Sequence, residues 1–188
     1  MTMVKKFKSC CFTGYRPQKF GFELSENSPE YYSLINRLSD AIFSLPKEDC
    51  FTFYCGMAMG FDIIAGEIVV MLRKLYKDAK IELVAVVPFK EQSESFDNEW
   101  KKRYNSLLRS ADRIIYTAAK YTKGCFAKRN CYMVDNSDFV ITWYDGKPGG
   151  TLQTLNYAHK MGKRIINVAE KGVHEFPIEE YFLIEDEY

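Results

Sequence analysis

The sequence predicts a single α/β domain built on a doubly wound, mainly parallel sheet of about six strands flanked by helices. Three observations predict it. Short runs rich in β-branched and aromatic residues recur along the chain, and stretches of helical periodicity fill the gaps between them. Most of the short runs are continuously apolar, as strands buried on both faces of a parallel sheet are. At 188 residues the chain is long enough for one sizeable core and short for two.

The first strand is read at 9–13, SCCFT. A helix over 29–45 follows Ser28, a good N-cap, with Pro29 at its first position. The second strand is 51–54, FTFY. The helix over 61–76 sets Phe61, Ile64, Ala65, Ile68, Leu72 and Leu75 on one stripe, the spacing of a buried face. The strand over 81–87, IELVAVV, leads through PFKEQSES into a highly charged helix over 97–108. A strand over 113–117, a helix over 129–136, a strand over 139–144, a helix over 151–161 and a strand over 164–168 complete the alternation. The core therefore runs from about 9 to 168 of one domain over 1–188, and the acidic tail from 169 onward is weakly patterned.

Bulk composition narrows the functional classes. Basic and acidic residues nearly balance, 26 against 25, and a chain whose main partner is a nucleic-acid backbone usually shows a basic excess. No apolar run approaches the roughly 18–20 residues that span a bilayer. The N-terminal apolar stretch, about five residues, falls below the roughly 7–15 of a signal-peptide core. None of the six cysteines forms CxxC, which fits reduced thiols in a cytoplasmic protein. His159 and His174 have no metal-ligand neighbour at useful spacing, so no metal is expected.

In an open parallel sheet ligands bind where the strands end and the loops enter the helices. Four such segments are chemically distinctive. TGYRP contributes Thr13, Gly14 for a turn and Arg16, a forked cation suited to phosphate or carboxylate. CGMAMGFD brackets a helix entry with Gly56 and Gly60, where free N–H groups and the helix dipole favour an anion, and adds Asp62 in the first turn. It matches no standard nucleotide fingerprint. DGKPGGT packs Gly146, Gly149 and Gly150, a proline and Thr151 into seven residues, beside Asp145 and Lys147. So many turn residues before a helix suggest a loop whose backbone N–H groups cradle a phosphate. FAKRNCYMVDNSD supplies Arg129 and Asn130. Gln92 and Trp100, after the third strand, are the expected rim residues. WKKRYNSLL over 100–108 reads either as a base-stacking, phosphate-touching stretch or as an amphipathic helix with its aromatics packed inward.

In this order, TGYRP, GMAMGFD, VPF…Q…W, RN…MVDNSD and YDGKPGGT resemble the YpsA/YoqJ-like family of the SLOG superfamily, which also holds the LOG (lysine-decarboxylase-like) proteins and DprA. The resemblance covers about 9–168. It implies a Rossmann-like fold and a site for a nucleotide-derived ligand, namely ADP-ribose, NAD or a nucleoside phosphate. It also makes a homodimer an expectation, because LOG-like relatives are often dimers. LOG phosphoribohydrolases carry an arginine like Arg129, a glycine loop like Gly149, Gly150 and Thr151, and two acids. The aligned places here hold Gln153 and Thr154, which cannot act as a carboxylate in N-glycosidic cleavage. The first expectation is therefore a domain that binds or senses such a ligand. The alternative is a nucleotide or N-glycosidic hydrolase whose carboxylate is Asp62, Glu67 or Asp145. A further alternative is single-stranded DNA binding, as in the DprA branch.

Overall fold

The computed structural model describes residues 8–45, 51–172 and Phe176. The chain alternates β1 (Ser9–Thr13), α1 (Pro29–Ser44), β2 (Phe51–Cys55), α2 (Phe61–Leu75), β3 (Ile81–Val87), α3 (Asn98–Ser110), β4 (Arg113–Tyr116), α4 (Cys125–Asp135), β5 (Phe139–Thr142), α5 (Gly150–Lys160) and β6 (Arg164–Asn167). The sheet order is β4-β3-β2-β1-β5-β6, with every neighbouring pair parallel. Strand β1 lies in the middle: Cys10 is in register with Phe53 on one side and Phe139 on the other. The six-stranded α/β architecture is the one the alternating pattern predicts.

Local chemistry explains where the elements begin. Ser28 Oγ accepts from Tyr31 N at 3.3 Å, Pro29 opens α1, and Leu34, Leu38 and Ile42 are buried at four-residue spacing. Asp97 Oδ1 accepts from Glu99 N and Trp100 N, both at 3.0 Å, and caps α3. Trp100, Tyr104 and Leu107 then turn inward. The basic–aromatic stretch over 100–108 is thus the amphipathic helix of the two readings. The first half of α2 is buried nearly all round, while Met71 and Leu75 near its end are exposed, so Leu75 does not continue the predicted buried stripe. The helix touches α3 so closely that a Cβ at Gly66 would come within 2.6 Å of Leu107 Cδ2.

Two expectations need correction. Helix α4 starts at Cys125, four residues before the predicted 129, because Gly124 takes a left-handed φ of 82° and turns the chain into the helix. Strand β4 is not buried on both faces. It is the sheet edge, and Arg113, Ile114 and Tyr116 are exposed along it.

The topology positions the site. From β1 the chain winds outward through β2, β3 and β4, then crosses back through α4 to β5 on the other side of β1. The loops leaving β1 and β5 diverge there, which opens a crevice at the carboxyl ends of the two strands. The side-chain amide of Asn167 sets the exit from β5. Its Oδ1 accepts from Tyr144 N at 3.1 Å and its Nδ2 donates to Tyr144 O at 2.8 Å. His174 and most of the acidic tail lie outside the described residues.

Candidate functional site

A cleft of about 620 Å³ occupies that crevice. Its floor is made by close approach of backbone segments. A Cβ at Gly14 would lie 2.4 Å from Phe61 Cγ, and one at Gly60 would lie 2.5 Å from Tyr15 O. The β1 exit therefore rests directly on the first turn of α2, where Phe61 N donates to Tyr15 O at 3.1 Å. On the opposite side Gly149, at φ 130°, delivers the chain into α5, a conformation closed to side-chain-bearing residues. Neither N-cap, Gly60 nor Gly149, offers a side chain to the helix. At α2 the Phe61 N–H is taken by Tyr15 O, whereas the first-turn N–H groups and positive dipole end of α5 remain available to an anion. Thr151 Oγ1 donates to Gly14 O at 3.1 Å and ties the two walls together.

Tyr15 latches the two loops. Its ring is buried against Trp143 and Tyr144 at 5.2 and 6.1 Å. Its hydroxyl donates to Asp145 Oδ1 at 2.8 Å and accepts from Lys147 N at 3.0 Å. Burial and the bond to Asp145 push the phenol well above its usual range, so it stays a donor. Lys147 Nζ pairs with Asp145 at 3.3 Å and donates to Lys19 O at 3.0 Å. Lys19 Nζ in turn donates to Pro148 O, and burial together with the Lys147 charge holds its pKa below the usual lysine value. The glycine loop is therefore held in shape by its own neighbours, with a lysine ammonium at its lip.

A second network links α4 to the start of α5. Arg129 is buried, donates Nη1 to Gly56 O and donates Nε to Asn130 Oδ1 at 2.7 Å. Asn130 Nδ2 donates to Thr154 Oγ1 at 2.9 Å, and that hydroxyl donates to Gly150 O at 2.8 Å. Thr154, where the resemblance to LOG phosphoribohydrolases implies an acid, is a structural link here. Asp62 is buried beside this network. Desolvation raises its pKa to about 6, against the downward pull of Arg129, the Ala58 N–H and Arg16. The cleft thus gathers the cations Arg16, Lys19 and Arg129 against one acid, Asp62.

Most of the residues singled out from sequence converge. Thr13, Gly14 and Arg16 line the cleft with Asp62, Arg129 and Asn130, and Gly149, Gly150 and Thr151 form the facing wall. Six others sit elsewhere. Gly56 lies behind Arg129, where a Cβ would meet Nη1 at 2.4 Å, so it makes room for the arginine rather than for a ligand. Gly60 packs against Tyr15, and Asp145 is engaged by Tyr15 and Lys147. Gln92 is buried and donates Nε2 to Gly56 O at 3.3 Å. Trp100 is not a rim residue: it is 8% exposed, with the Arg103 guanidinium 4.2 Å from its ring centroid. Glu67 also lies away from the cleft, held by Arg103 in a forked pair at 2.9 and 2.6 Å. Sequence reasoning passed over Tyr15, Lys19 and Phe126. All three lie inside the quoted motifs or two residues beyond them, and a cation two residues after TGYRP was the readable signal.

The family model YpsA, described as "YspA SLOG family", matches residues 10–174. The chain is 34% identical over 146 residues to the uncharacterized SPbeta prophage-derived protein YoqJ of Bacillus subtilis (strain 168), covering 71% of this chain and 84% of YoqJ. It is 27% identical over 156 residues to the UPF0398 protein BH1768 of Halalkalibacterium halodurans, covering 81% of each. Among solved structures it is similar to DNA processing protein A (DprA) from Streptococcus pneumoniae, with a TM-score of 0.56, 18% identity, and coverage of 85% of this chain and 49% of that one. It is also similar to DprA from Helicobacter pylori, described by its single-stranded DNA binding mode, with a TM-score of 0.54, 19% identity, and coverage of 84% and 63%. The chain thus spans less than two thirds of either DprA structure, and at these identities the likeness is one of fold.

Proposed function

The chain belongs to the YpsA SLOG family, and on that premise we propose that the crevice between β1 and β5 binds a small phosphorylated, nucleotide-derived ligand of the ADP-ribose, NAD or nucleoside phosphate class. One observation carries the proposal. Arg16, Lys19 and Arg129 converge on one cleft that also receives the uncapped start of α5. Phosphate sits over Gly149, Gly150 and Thr151, where the helix dipole and first-turn N–H groups meet it. Lys19 and Arg16 neutralise its charge, and Arg129 supports the inner wall. A volume of about 620 Å³ suits a small molecule. Thermal-shift and calorimetric titration with ADP-ribose, NAD and nucleoside monophosphates tests the proposal. Stabilisation that rises with ligand concentration supports it, and no response to any of them, with Lys19→Met indistinguishable from the wild type, contradicts it.

The hydrolytic alternative rests on Asp62. Of the three carboxylates named from sequence it alone lines the cleft, and its pKa near 6 suits proton transfer close to neutral pH. Glu67 and Asp145 are occupied by Arg103 and Tyr15. Release of base or ribose phosphate, abolished by Asp62→Asn, supports this reading. Single-stranded DNA binding is favoured by the likeness to the Helicobacter pylori DprA, and it bears against the expectation from net charge. The 100–108 stretch gives it no support, since its aromatics face inward. A gel shift at low salt decides it.

A further inference from the structure

Three aromatic rings stand together beside the cleft, and one of them, Phe126, lines it. Phe89 follows β3, Tyr121 follows β4, and Phe126 sits in the first turn of α4. Their centroids are separated by 5.5 Å (Phe89–Tyr121), 5.8 Å (Phe89–Phe126) and 6.4 Å (Tyr121–Phe126). Among the described residues none of the three belongs to the hydrophobic core cluster or to the side chains packed on it. Tyr121 is 54% exposed. Phe126 lines the cleft on the α4 side, together with Arg16, whose guanidinium carbon lies 5.3 Å from the Phe126 ring centroid.

Rings that pack on one another outside the core, at the edge of a cationic cleft, are costly to leave in water and have a ready use. They offer a flat apolar face to a planar group, and the Arg16 guanidinium, itself a planar cation, already lies over the Phe126 ring. The opposite wall of the cleft holds the glycine loop and Lys19, the phosphate side of the proposed site. A ligand with an anionic end and an aromatic end matches both walls. A bare sugar phosphate matches only one.

We propose that Phe126, backed by Phe89 and Tyr121, is a nucleobase-stacking shelf, and that the ligand is a free nucleotide whose base lies on Phe126 while its phosphate lies over Gly149–Thr151. The inference rests on the phosphate-binding reading above. Arg16 is exposed, so the base takes its place on the ring and the guanidinium turns towards the phosphate. Stacking of this kind tolerates every base, because each has a π-face. The shelf therefore supplies affinity and orientation, and discrimination among bases must come from other contacts.

Calorimetric titration of the full chain with adenosine 5′-monophosphate and with ribose 5-phosphate, in the wild type and in Phe126→Leu and Phe126→Trp, tests the shelf. The wild type is expected to bind the nucleotide roughly 5- to 140-fold more tightly than the sugar phosphate. In Phe126→Leu that ratio collapses towards one, and in Phe126→Trp it is kept. If ribose 5-phosphate binds and the base adds nothing, or the ratio survives in Phe126→Leu, the shelf is overturned while the phosphate reading stands. If neither compound binds, both readings fall together. Single-stranded oligothymidylate is the third arm: Phe126-dependent binding that adenosine 5′-monophosphate does not compete with overturns the assignment to a free nucleotide.

Discussion

Replacing Gly56 by alanine tests the architecture beneath the cleft. A Cβ there would lie 2.4 Å from Arg129 Nη1, 2.7 Å from Arg129 Cζ and 2.6 Å from Asp62 Oδ2. Both neighbours are buried, at 4% and 5% exposure, and Arg129 is tethered by Gly56 O and Asn130. The methyl group therefore overpacks a closed site, which costs about 1–3 kcal/mol. Shifting Arg129 off the Gly56 carbonyl removes a charge-assisted hydrogen bond worth about 1.5–3 kcal/mol. Together the expected loss is about 2.5–6 kcal/mol, or roughly 5–24 °C in Tm for a chain of this size. Urea and thermal unfolding followed by circular dichroism measure it. Gly21→Ala, with nothing within 4 Å of the added carbon, is the control and should stay within about 0.5 kcal/mol. In an Arg129→Ala background the Gly56→Ala cost should shrink by at least about 1 kcal/mol, since the main clash is gone. An undisturbed Gly56→Ala protein, or the same cost in both backgrounds, would refute the packing described here.

Other perturbations separate structural from functional roles. Tyr15→Phe strands the Lys147 N–H and removes the hydroxyl donor from Asp145 Oδ1, so it should cost about 1–3 kcal/mol in denaturant unfolding and weaken ligand binding by loosening the glycine loop. Asp62 has a folded pKa of about 6, above the usual 3.8. The folded state therefore binds this proton more tightly than the unfolded state. Its stabilising contribution is full below about pH 4 and is lost as pH rises through about 6. Asp62→Asn should remove that slope from stability measured between pH 4 and 7, and an unchanged slope would show that another group titrates there. Glu67→Gln weakens a partly exposed pair with Arg103, should cost no more than about 1 kcal/mol, and should leave ligand binding as in the wild type, because the pair lies away from the cleft.

The sheet was legible because its strands are short apolar runs punctuated by strong helix starts such as Ser28-Pro29 and Asp97. The site was legible in outline because TGYRP, GMAMGFD and DGKPGGT all end strands, and parallel topology brings strand ends to one edge. Side-chain direction was not legible. A glycine that spares space for a ligand and one that spares space for a buried arginine read alike, which is why Gly56 was placed at the ligand. Helical periodicity could not say which face of 97–108 met α2, so Trp100 was placed at a rim when it lies in the core. Tyr15 and Lys19 escaped notice because their importance comes from contacts with Asp145 and Pro148, more than 120 residues away. Gly124 was a readable helix entry that the apolar pattern of α4 obscured.

The central claim is that the glycine loop opening α5 holds phosphate. A crystal structure with ADP-ribose or adenosine 5′-monophosphate tests it most directly. The expected result is a phosphate group hydrogen-bonded to the backbone N–H groups of Gly150 and Thr151, with the Lys19 ammonium beside it. Nucleotide bound elsewhere on the molecule, or a cleft that stays empty at saturating ligand, would contradict the claim.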